Sequence, residues 1–470
     1  MDLHGRRIIY SDAGVVTRKN VLKVLQDTEV KRRLNATEEN YLYDYYKGKQ
    51  DIRNKTKTTR PEINHIICEN RCLAITDFKT GYLVGDPVVY TSRSADDAGS
   101  EMITRLNGMM LSEDKASMDK ELVDWMHITG HGYRMVLPDP SGDEDSPFEL
   151  YTLPPMSTSV VYANTADHRP IAGIYFVLDD QNREIYSIYT PTEFFEVREG
   201  KITRAENNPL GMIPIIEYPL NEARLGAFEP VIDLLDAINY LDSDRMDGVT
   251  TFINSLAVLY NAELPEGEDG NSIREQGLIT LRSTGENRAD IKILSEQLDQ
   301  TSTQTLKEDL YNSVLQIVGM PNQSDGNTSD SSNNGAMFLK QGYQLAETRA
   351  KDTELTFKRS ERQMLKLVAK ICDKLSNMVI NLADIDVTFT RRAYSDINSK
   401  ATVLTMLLNN EKVAPIDAWT LSGLTPDPDE ACKRGLEWRE DEVTKNGNDS
   451  SDGFAERAED TPDSEQIPER

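Results

Sequence analysis

Gly319-Met320-Pro321-Asn322-Gln-Ser-Asp-Gly-Asn-Thr-Ser-Asp-Ser-Ser-Asn-Asn-Gly335 is a polar segment in front of the longest helical pattern of the chain. Residues 336–382, which follow it, contain no proline and a single glycine, Gly342. Apolar residues recur there in alternating steps of four and three, the period of one helix face, at Met364, Val368, Ile371, Leu375, Met378 and Leu382. The pattern predicts one helix of roughly 45 residues, about 70 Å long. Such a helix is typical of a coiled coil or of a subunit that crosses a large assembly.

The overall charge limits the kinds of partner. The chain has 52 Lys and Arg against 79 Asp and Glu, a net charge of −27. Binding nucleic acid or anionic membrane by charge needs a basic face, which this balance argues against, whereas nucleic acid that slides past the protein is compatible with it. The four scattered cysteines do not form a disulfide framework, and no signal peptide or membrane span is present in the sequence. We therefore expect a soluble, cytosolic assembly with no membrane.

The N-terminal part predicts short helices that lead into strands. Val21–Leu25 indicates a short helix, and Thr37 is placed to cap a second helix that ends before Gly48. Pro61–Phe78 predicts a third helix with proline in its first turn. Gly81–Pro87 then indicates a turn into a short strand.

A helical region at 94–130 precedes a mainly antiparallel β region. Runs of β-branched and aromatic residues separated by Asp, Gly and Pro turns predict strands at 133–137, 148–153, 159–162, 171–178, 184–189 and 193–197. Pro219 marks the end of this region.

Two further long helices are predicted at about 229–256 and 297–318, and they bracket a small strand module. The C-terminal part predicts a strand at 385–389 and helices at 395–408, 414–421 and 428–438. From Glu440 onward the chain is acidic with few apolar residues, which predicts a disordered tail.

Candidate chemical sites are weak. His65, Cys68 and Cys72 would share a face if they lay on one helix, but a fourth metal ligand is missing and buried thiols are common. His127 and His131 have the spacing of a zinc motif without its glutamate. Neither pattern outweighs a structural role.

The polar segment partly matches a calcium-binding loop at Asp325, Asn327 and Ser329, but Asp330 replaces the required glycine and Ala336 the required glutamate. Its composition alone favours a surface linker. The phosphate-binding Gly-x4-Gly-Lys and the nucleophile motif Gly-x-Ser-x-Gly are absent from the sequence. We therefore expect no catalytic residues, no metal and no cofactor.

The order of these parts resembles the portal proteins of tailed bacteriophages, in the SPP1-type family. The resemblance covers roughly residues 35–435. Its motifs are Tyr45–Gly48, Tyr82–Pro87, Glu229–Leu241, Gly319–Pro321, Ile385–Arg392 and Leu421–Glu430.

The resemblance implies an α+β fold: a mainly helical portal-type subunit with long stem and wing helices, an antiparallel β-rich wing and a small strand-containing clip. It also implies a ring oligomer, expected to have twelve subunits. The implied parts are an N-terminal segment (1–36), wing (37–221), stem helix 1 (222–257), clip (258–294), stem helix 2 (295–320), tunnel loop (321–335), long wing helix (336–383), crown (384–438) and acidic disordered tail (439–470).

The implied function is a non-enzymatic channel for double-stranded DNA at one capsid vertex, used in packaging and ejection. The implied partners are the terminase large subunit, the major capsid and scaffold proteins, and the head-completion proteins. The location would be the virion, and the host cytoplasm during assembly. The clip residues expected to dock terminase or connector are Glu263, Glu266, Glu268, Asp269, Arg274 and Glu275.

The residues expected to line the narrowest part of the channel are Asn322, Gln323, Ser324, Asp325, Asn327, Thr328, Ser329, Asp330, Asn333, Asn334 and Lys340. This set has no cation before Lys340, so any DNA contact has to be steric or weakly hydrogen-bonded. Two alternatives remain: a coiled-coil scaffold or adaptor without a DNA role, and a hydrolase or metal-dependent nuclease, for which a carboxylate or histidine cluster is lacking.

Overall fold

Helices and strands both contribute to the fold, as the α+β prediction requires. The computed structural model describes residues 5–58, 60–93, 97–139, 146–253, 256–260, 262–263, 282–283, 290–294, 300–322, 343–390, 397–410, 412–425 and 428–449. The helices are α1 (Val21–Tyr46), α2 (Arg71–Val84), α3 (Asp97–Ser112), α4 (Lys115–Thr129), α5 (Ile232–Ile253), α6 (Gln300–Val318), α7 (Tyr343–Ser376), α8 (Ile397–Leu408), α9 (Pro415–Ser422) and α10 (Pro428–Asp449).

The strands follow the predicted β region and extend it at both ends. They are β1 (Ile9–Ser11), β2 (Val89–Ser92), β3 (His131–Pro138), β4 (Phe148–Leu153), β5 (Thr158–Ala163), β6 (Pro170–Leu178), β7 (Glu184–Tyr189), β8 (Glu193–Arg198), β9 (Lys201–Asn207), β10 (Ile215–Pro219), β11 (Leu256–Tyr260), β12 (Ala262–Glu263), β13 (Arg282–Ser283), β14 (Asp290–Leu294) and β15 (Ile385–Thr388).

A six-stranded sheet in the order β1-β5-β6-β7-β8-β9 forms the larger β unit. Its strands pair antiparallel except for β1, which pairs parallel with β5. Alternate residues such as Ile174, Ile188 and Phe195 are buried against Val21 and Val24 of α1. The period-two pattern therefore fixes which sheet face meets the helix.

α1 runs without interruption from Val21 to Tyr46, so the prediction of two separate helices is wrong. No glycine or proline occurs between these residues to end a helix. The hydroxyl of Thr37, expected to cap the second helix, donates to the carbonyl of Arg33 in the middle of α1. The expected boundary at residue 36 consequently lies inside this helix.

Helix α2 begins ten residues later than predicted, because Pro61 does not open a helix. The helix starts at Arg71 and continues to Val84, so Gly81 lies within it and not in a turn. Residues 63–69 run along α5 in an extended conformation. Three of their backbone amides donate hydrogen bonds to side chains of α5. The predicted helical region at 94–130 is confirmed as α3 and α4, with a break at Asp114 in the left-handed conformation (φ 49°).

The three-stranded sheet β10-β3-β4 packs against α7. Met364, Val368 and Ile371 of the predicted stripe are buried there. The helix ends at Ser376, earlier than predicted, because Asn377 adopts a left-handed conformation (φ 50°) and Met378 N–H donates to the carbonyl of Cys372. The described helix α7 has 34 residues, about 51 Å, and the first part of the predicted 70 Å helix, residues 336–342, lies outside the described residues.

Helices α5 and α6 form an antiparallel pair and confirm the two long helices predicted at about 229–256 and 297–318. Ile238 packs with Val314 and Val318 near one end, and Arg245 donates to Gln304 at 2.8 Å near the other. Between them, β11 pairs antiparallel with β14 and β12 with β13, which confirms a strand module.

The C-terminal helices extend beyond their predicted limits. α10 continues to Asp449, so the prediction of disorder from residue 439 is wrong for residues 439–449. These residues contain no proline, and they continue a helix that is anchored by buried Ala431 and Cys432. The predicted strand at 385–389 is confirmed as β15. It pairs antiparallel with β2, so it belongs to the same sheet as residues 89–92 and is separate from the helices that follow it in the chain.

Candidate functional site

The polar segment starts directly at the end of α6. Gly319 has a positive φ of 71°, and Met320 N–H donates to the carbonyl of Leu315, which closes the helix. Asn322 is half-buried, and its amide donates to Asn312 at 3.0 Å. The other expected channel residues, and the partial calcium-loop match, lie outside the described residues.

The expected docking residues are placed only in part. Glu263 lies in β12, opposite Arg282 of β13. The remaining ones, Glu266, Glu268, Asp269, Arg274 and Glu275, lie outside the described residues. Their role stays a prediction.

The α5–α6 pair exposes acidic side chains. Asp233 on α5 and Glu308 and Asp309 on α6 are exposed. Lys307 is instead held by Glu69 and by Asp242, with its nitrogen 2.5 Å and 2.8 Å from their carboxylate oxygens. The described part of this surface therefore presents negative charge, while its central lysine is neutralised.

A regular ladder of hydrogen bonds fastens the extended segment 63–69 to α5. The backbone amides of His65, Ile67 and Glu69 donate to side chains of α5 at 2.7, 3.0 and 2.8 Å. The acceptors, four residues apart, are Asp247, Ser243 and Asn239. Two residues of extended chain and four of helix both advance about 6–7 Å, so the two repeats stay in register.

Cations gather around the last step of this ladder. Asp247 accepts from Lys55 at 2.8 Å and from Lys57 at 2.6 Å, and its side chain is 3% exposed. Burial alone would raise the pKa of Asp247, but the hydrogen bonds from Lys55, Lys57 and His65 outweigh it and hold this pKa well below its ordinary value. Loop 55–65 is thus tied to α5 by charge as well as by backbone.

A second buried network centres on Glu361 of α7. Its carboxylate accepts from the hydroxyls of Tyr90 and Tyr218 at 2.6 and 2.7 Å, and it lies 2.9 Å from the Lys115 nitrogen and 3.7 Å from Arg134. Burial opposes ionisation, but Lys115, Arg134 and the two tyrosines lower the pKa of Glu361 to about 2. Glu361 lies three residues before Met364 and therefore on the apolar face of α7. A charged residue on that face was the sequence signal that could have predicted a buried ionic network.

The weak metal patterns are not brought together. α2 begins only at Arg71, so the expectation of one helix face for His65, Cys68 and Cys72 is wrong. Cys68 lies 3.3 Å from the side-chain oxygen of Gln50, and burial raises the pKa of the Cys72 thiol to about 12. Within the described ranges, no group of three or more His, Cys, Asp or Glu is arranged to hold a metal ion.

The two histidines of the second metal pattern, His127 and His131, are buried and do not meet. His127 Nδ1 lies 3.1 Å from the hydroxyl of Thr80. His131 lies between two carboxylates, 2.8 Å from Glu39 and 3.4 Å from Glu217.

Across the part of the chain that the structure describes, no helix is long and apolar enough to span a membrane.

An antiparallel helix pair around a strand module, followed by a polar segment and a long helix on a sheet, is the order of parts expected for a portal-type subunit. The family model described as "Phage portal protein, SPP1 Gp6-like" matches residues 29–445. The chain therefore belongs to the SPP1-type family of phage portal proteins.

Individual relatives are distant. The portal protein of Bacillus phage SPP1 is 24% identical over 279 residues, 53% of this chain and 52% of the relative. The chain thus spans about half the length of this curated relative. Among solved structures, the neck of an empty gene transfer agent particle computed with C6 symmetry is 14% identical, with a TM-score of 0.44 over 75% of this chain and 90% of that chain. The neck of the native particle computed with C12 symmetry is 14% identical, with a TM-score of 0.40 over 75% and 89%.

Proposed function

We propose that this chain forms a ring at the unique vertex of a tailed-phage capsid, and that the ring conducts double-stranded DNA during packaging and ejection. The match to the portal family over residues 29–445 is the observation that carries this proposal. The role is structural, and the energy for DNA movement comes from a separate motor. We propose twelve subunits per ring, a number that can be counted in electron micrographs of rings viewed along their axis.

The electrostatics of the α5–α6 pair support a channel wall. A conduit that bound its cargo through many cations would stall it, because each neutralised phosphate releases counterions and adds affinity. Asp233, Glu308 and Asp309 are exposed on this pair, while Lys307 is held by two carboxylates. Such a surface repels the DNA backbone and favours free sliding.

The other parts receive roles by the same proposal. The strand module between α5 and α6 is the clip, which docks the terminase large subunit and later the head-completion proteins. The sheets with α1–α4 and α7 form the wing, which faces the major capsid and scaffold proteins. The chain assembles in the host cytoplasm and ends in the virion.

The segment 322–335 is proposed as the channel constriction. It leaves the end of α6, one of the two proposed stem helices, and leads toward α7. Its side chains include Asp325 and Asp330 and no lysine or arginine. We therefore expect this segment to contact DNA sterically or through weak hydrogen bonds and not to bind it by charge.

Microscopy and a packaging assay test the proposal. Negative-stain images of the purified protein are expected to show annular particles. A variant lacking residues 322–335 is expected to form rings that fail to package DNA. A Gly/Ser replacement of the same length is the matched control, and it should retain most packaging if the contact is steric.

Two outcomes would contradict the proposal. One is a protein that stays monomeric at all concentrations and salts and also forms no rings in lysate. The other is full packaging by the 322–335 deletion, which would favour the scaffold alternative, as would elongated small oligomers.

The clip assignment has its own test. Replacing Glu266, Glu268 and Asp269 with lysine is expected to leave ring formation intact and to weaken terminase binding. Lysines at Glu199, Glu206 and Glu222, which are exposed outside the clip, provide a control with the same charge change. Equal loss of binding in both triple variants would refute a docking role for the clip.

A further inference from the structure

Two cations line one small cavity where α2, the end of α4, the end of α6 and the start of α7 meet. The cavity has a volume of about 30 Å³ and opens to solvent. The residues of its wall that matter for binding are Lys79, Tyr82, His127, Gly319 and Arg349. A space of this size accepts a small ion or one or two waters.

Neither cation has an anionic partner within the described residues. Glu347, an acidic residue close to Arg349 along the chain, is engaged by the hydroxyl of Tyr82 at 3.0 Å and lies 3.6 Å from the Lys351 nitrogen. The ring of His127 adds no charge of its own, because burial, and secondly the charge of Lys79, lower its pKa to about 3 and keep it neutral. The cavity wall therefore carries positive charge that no acidic side chain among the described residues neutralises.

The proximity of the two positive charges is unfavourable when no anion is bound. Burial, together with the nearby guanidinium of Arg349, lowers the pKa of Lys79 to about 8. Arg349 is an exposed residue whose Cγ lies beside Gly319, where an added Cβ would be 3.1 Å away. An anion bound in the cavity that both side chains line would offset this repulsion.

We propose that Lys79 and Arg349 form a binding site for one oxyanion of the phosphate class. The guanidinium donates through a planar fork that matches two oxygens of such an ion, and the ammonium of Lys79 supplies a point charge beside it. The same group is available as free inorganic phosphate or as a backbone phosphate of DNA. The small recessed cavity favours the free ion. This site is independent of the portal role and would exist in the single subunit.

Calorimetric titration with inorganic phosphate, at constant ionic strength set by chloride, tests the site on the full chain. Wild-type protein is expected to show saturable binding of one phosphate per subunit. Lys79→Met and Arg349→Gln are each expected to weaken it at least tenfold. Lys351→Met, which removes an exposed cation two residues from Arg349, is the matched control and should bind like wild type.

Thermal unfolding supplies a readout that does not need measurable affinity in the variants. In chloride alone, Lys79→Met is expected to melt above wild type, because it removes a half-buried charge that a nearby guanidinium repels. Phosphate should raise the melting temperature of wild type and leave that of Lys79→Met unchanged. A variant that melts below wild type in chloride, with no phosphate effect on either protein, would overturn the proposal.

A short DNA duplex in place of phosphate separates the two sources. Binding of phosphate without Lys79-dependent binding of the duplex identifies the free ion. Lys79-dependent binding of the duplex alone identifies the backbone phosphate and keeps the oxyanion assignment. Phosphate binding that falls equally in Lys79→Met and Lys351→Met would show non-specific charge and refute the site.

Discussion

Asp247 accepts two hydrogen bonds from His65, one from its backbone nitrogen at 2.7 Å and one from its ring Nδ1 at 2.8 Å. The two residues are 182 positions apart, and the contact joins loop 55–65 to the end of α5 next to the strand module. Lys55 and Lys57 converge on the same carboxylate. Segment 63–69 therefore adopts an extended conformation because α5 supplies acceptors for its amides.

Replacing Asp247 with asparagine is expected to lower the free energy of unfolding by about 3 kcal/mol, because two lysines then lose a buried counter-charge. Urea unfolding monitored by circular dichroism measures the loss. Asp244→Asn is the matched control: Asp244 contacts the same Lys55 but is 62% exposed, so we expect a loss below about 1 kcal/mol. Equal losses in both variants would contradict the buried anchor.

Glu361 should make stability depend on acid pH. Its folded-state pKa of about 2 lies below the ordinary value of 4.5, so its ionised form stabilises the fold at higher pH. That stabilisation, about 3 kcal/mol, is complete above about pH 5 and is lost as the pH falls from about 4.5 to 2. Glu361→Gln should therefore be less stable than wild type at pH 7, with a difference that shrinks toward pH 3.

Urea midpoints at several pH values give this comparison. Glu308→Gln, an exposed carboxylate on α6, serves as the control and should follow wild type throughout. A difference between wild type and Glu361→Gln that stays constant from pH 7 to pH 3 would show that the ionised carboxylate contributes no net stability.

Local patterns predicted those elements whose own residues determine them. The stripe through Met364, Val368 and Ile371 predicted α7, and the same spacing predicted α5 and α6. Elements that depend on distant partners were missed. The sequence of 61–70 predicts a helix by itself, whereas acceptors on α5 take up the amides of His65, Ile67 and Glu69 and hold this segment extended. Glu361 is tolerated in an apolar stripe because Lys115 and Arg134 arrive from elsewhere in the fold.

Gly81 provides a direct test of helix against turn. It lies inside α2, exposed, with nothing within 4 Å of the position that a Cβ would take, so Gly81→Ala is expected to stabilise the protein by about 0.5–1 kcal/mol. Gly130→Ala is the opposite case, because its φ is +89° and a Cβ would lie 2.0 Å from the carbonyl oxygen of Arg224. We expect it to cost more than about 2 kcal/mol. Thermal melts of both variants are the measurement, and a destabilised Gly81→Ala would argue for the turn.

The exposed face of α6 should form part of the contact between subunits. Leu306 and Ile317 are 50% and 46% exposed. They are eleven positions apart, about three helical turns, and therefore lie on one face. Burying both in a neighbouring subunit would favour assembly.

The double variant Leu306→Lys, Ile317→Lys is accordingly expected to remain folded, since neither side chain is in the core of the subunit, and to lose ring formation. Light scattering after size-exclusion chromatography measures the assembly, and circular dichroism measures the fold. Gln316→Lys, exposed on the neighbouring face of the same helix, adds charge without removing apolar area and should still assemble. Rings of normal size from the double variant would place the subunit contact elsewhere on the molecule.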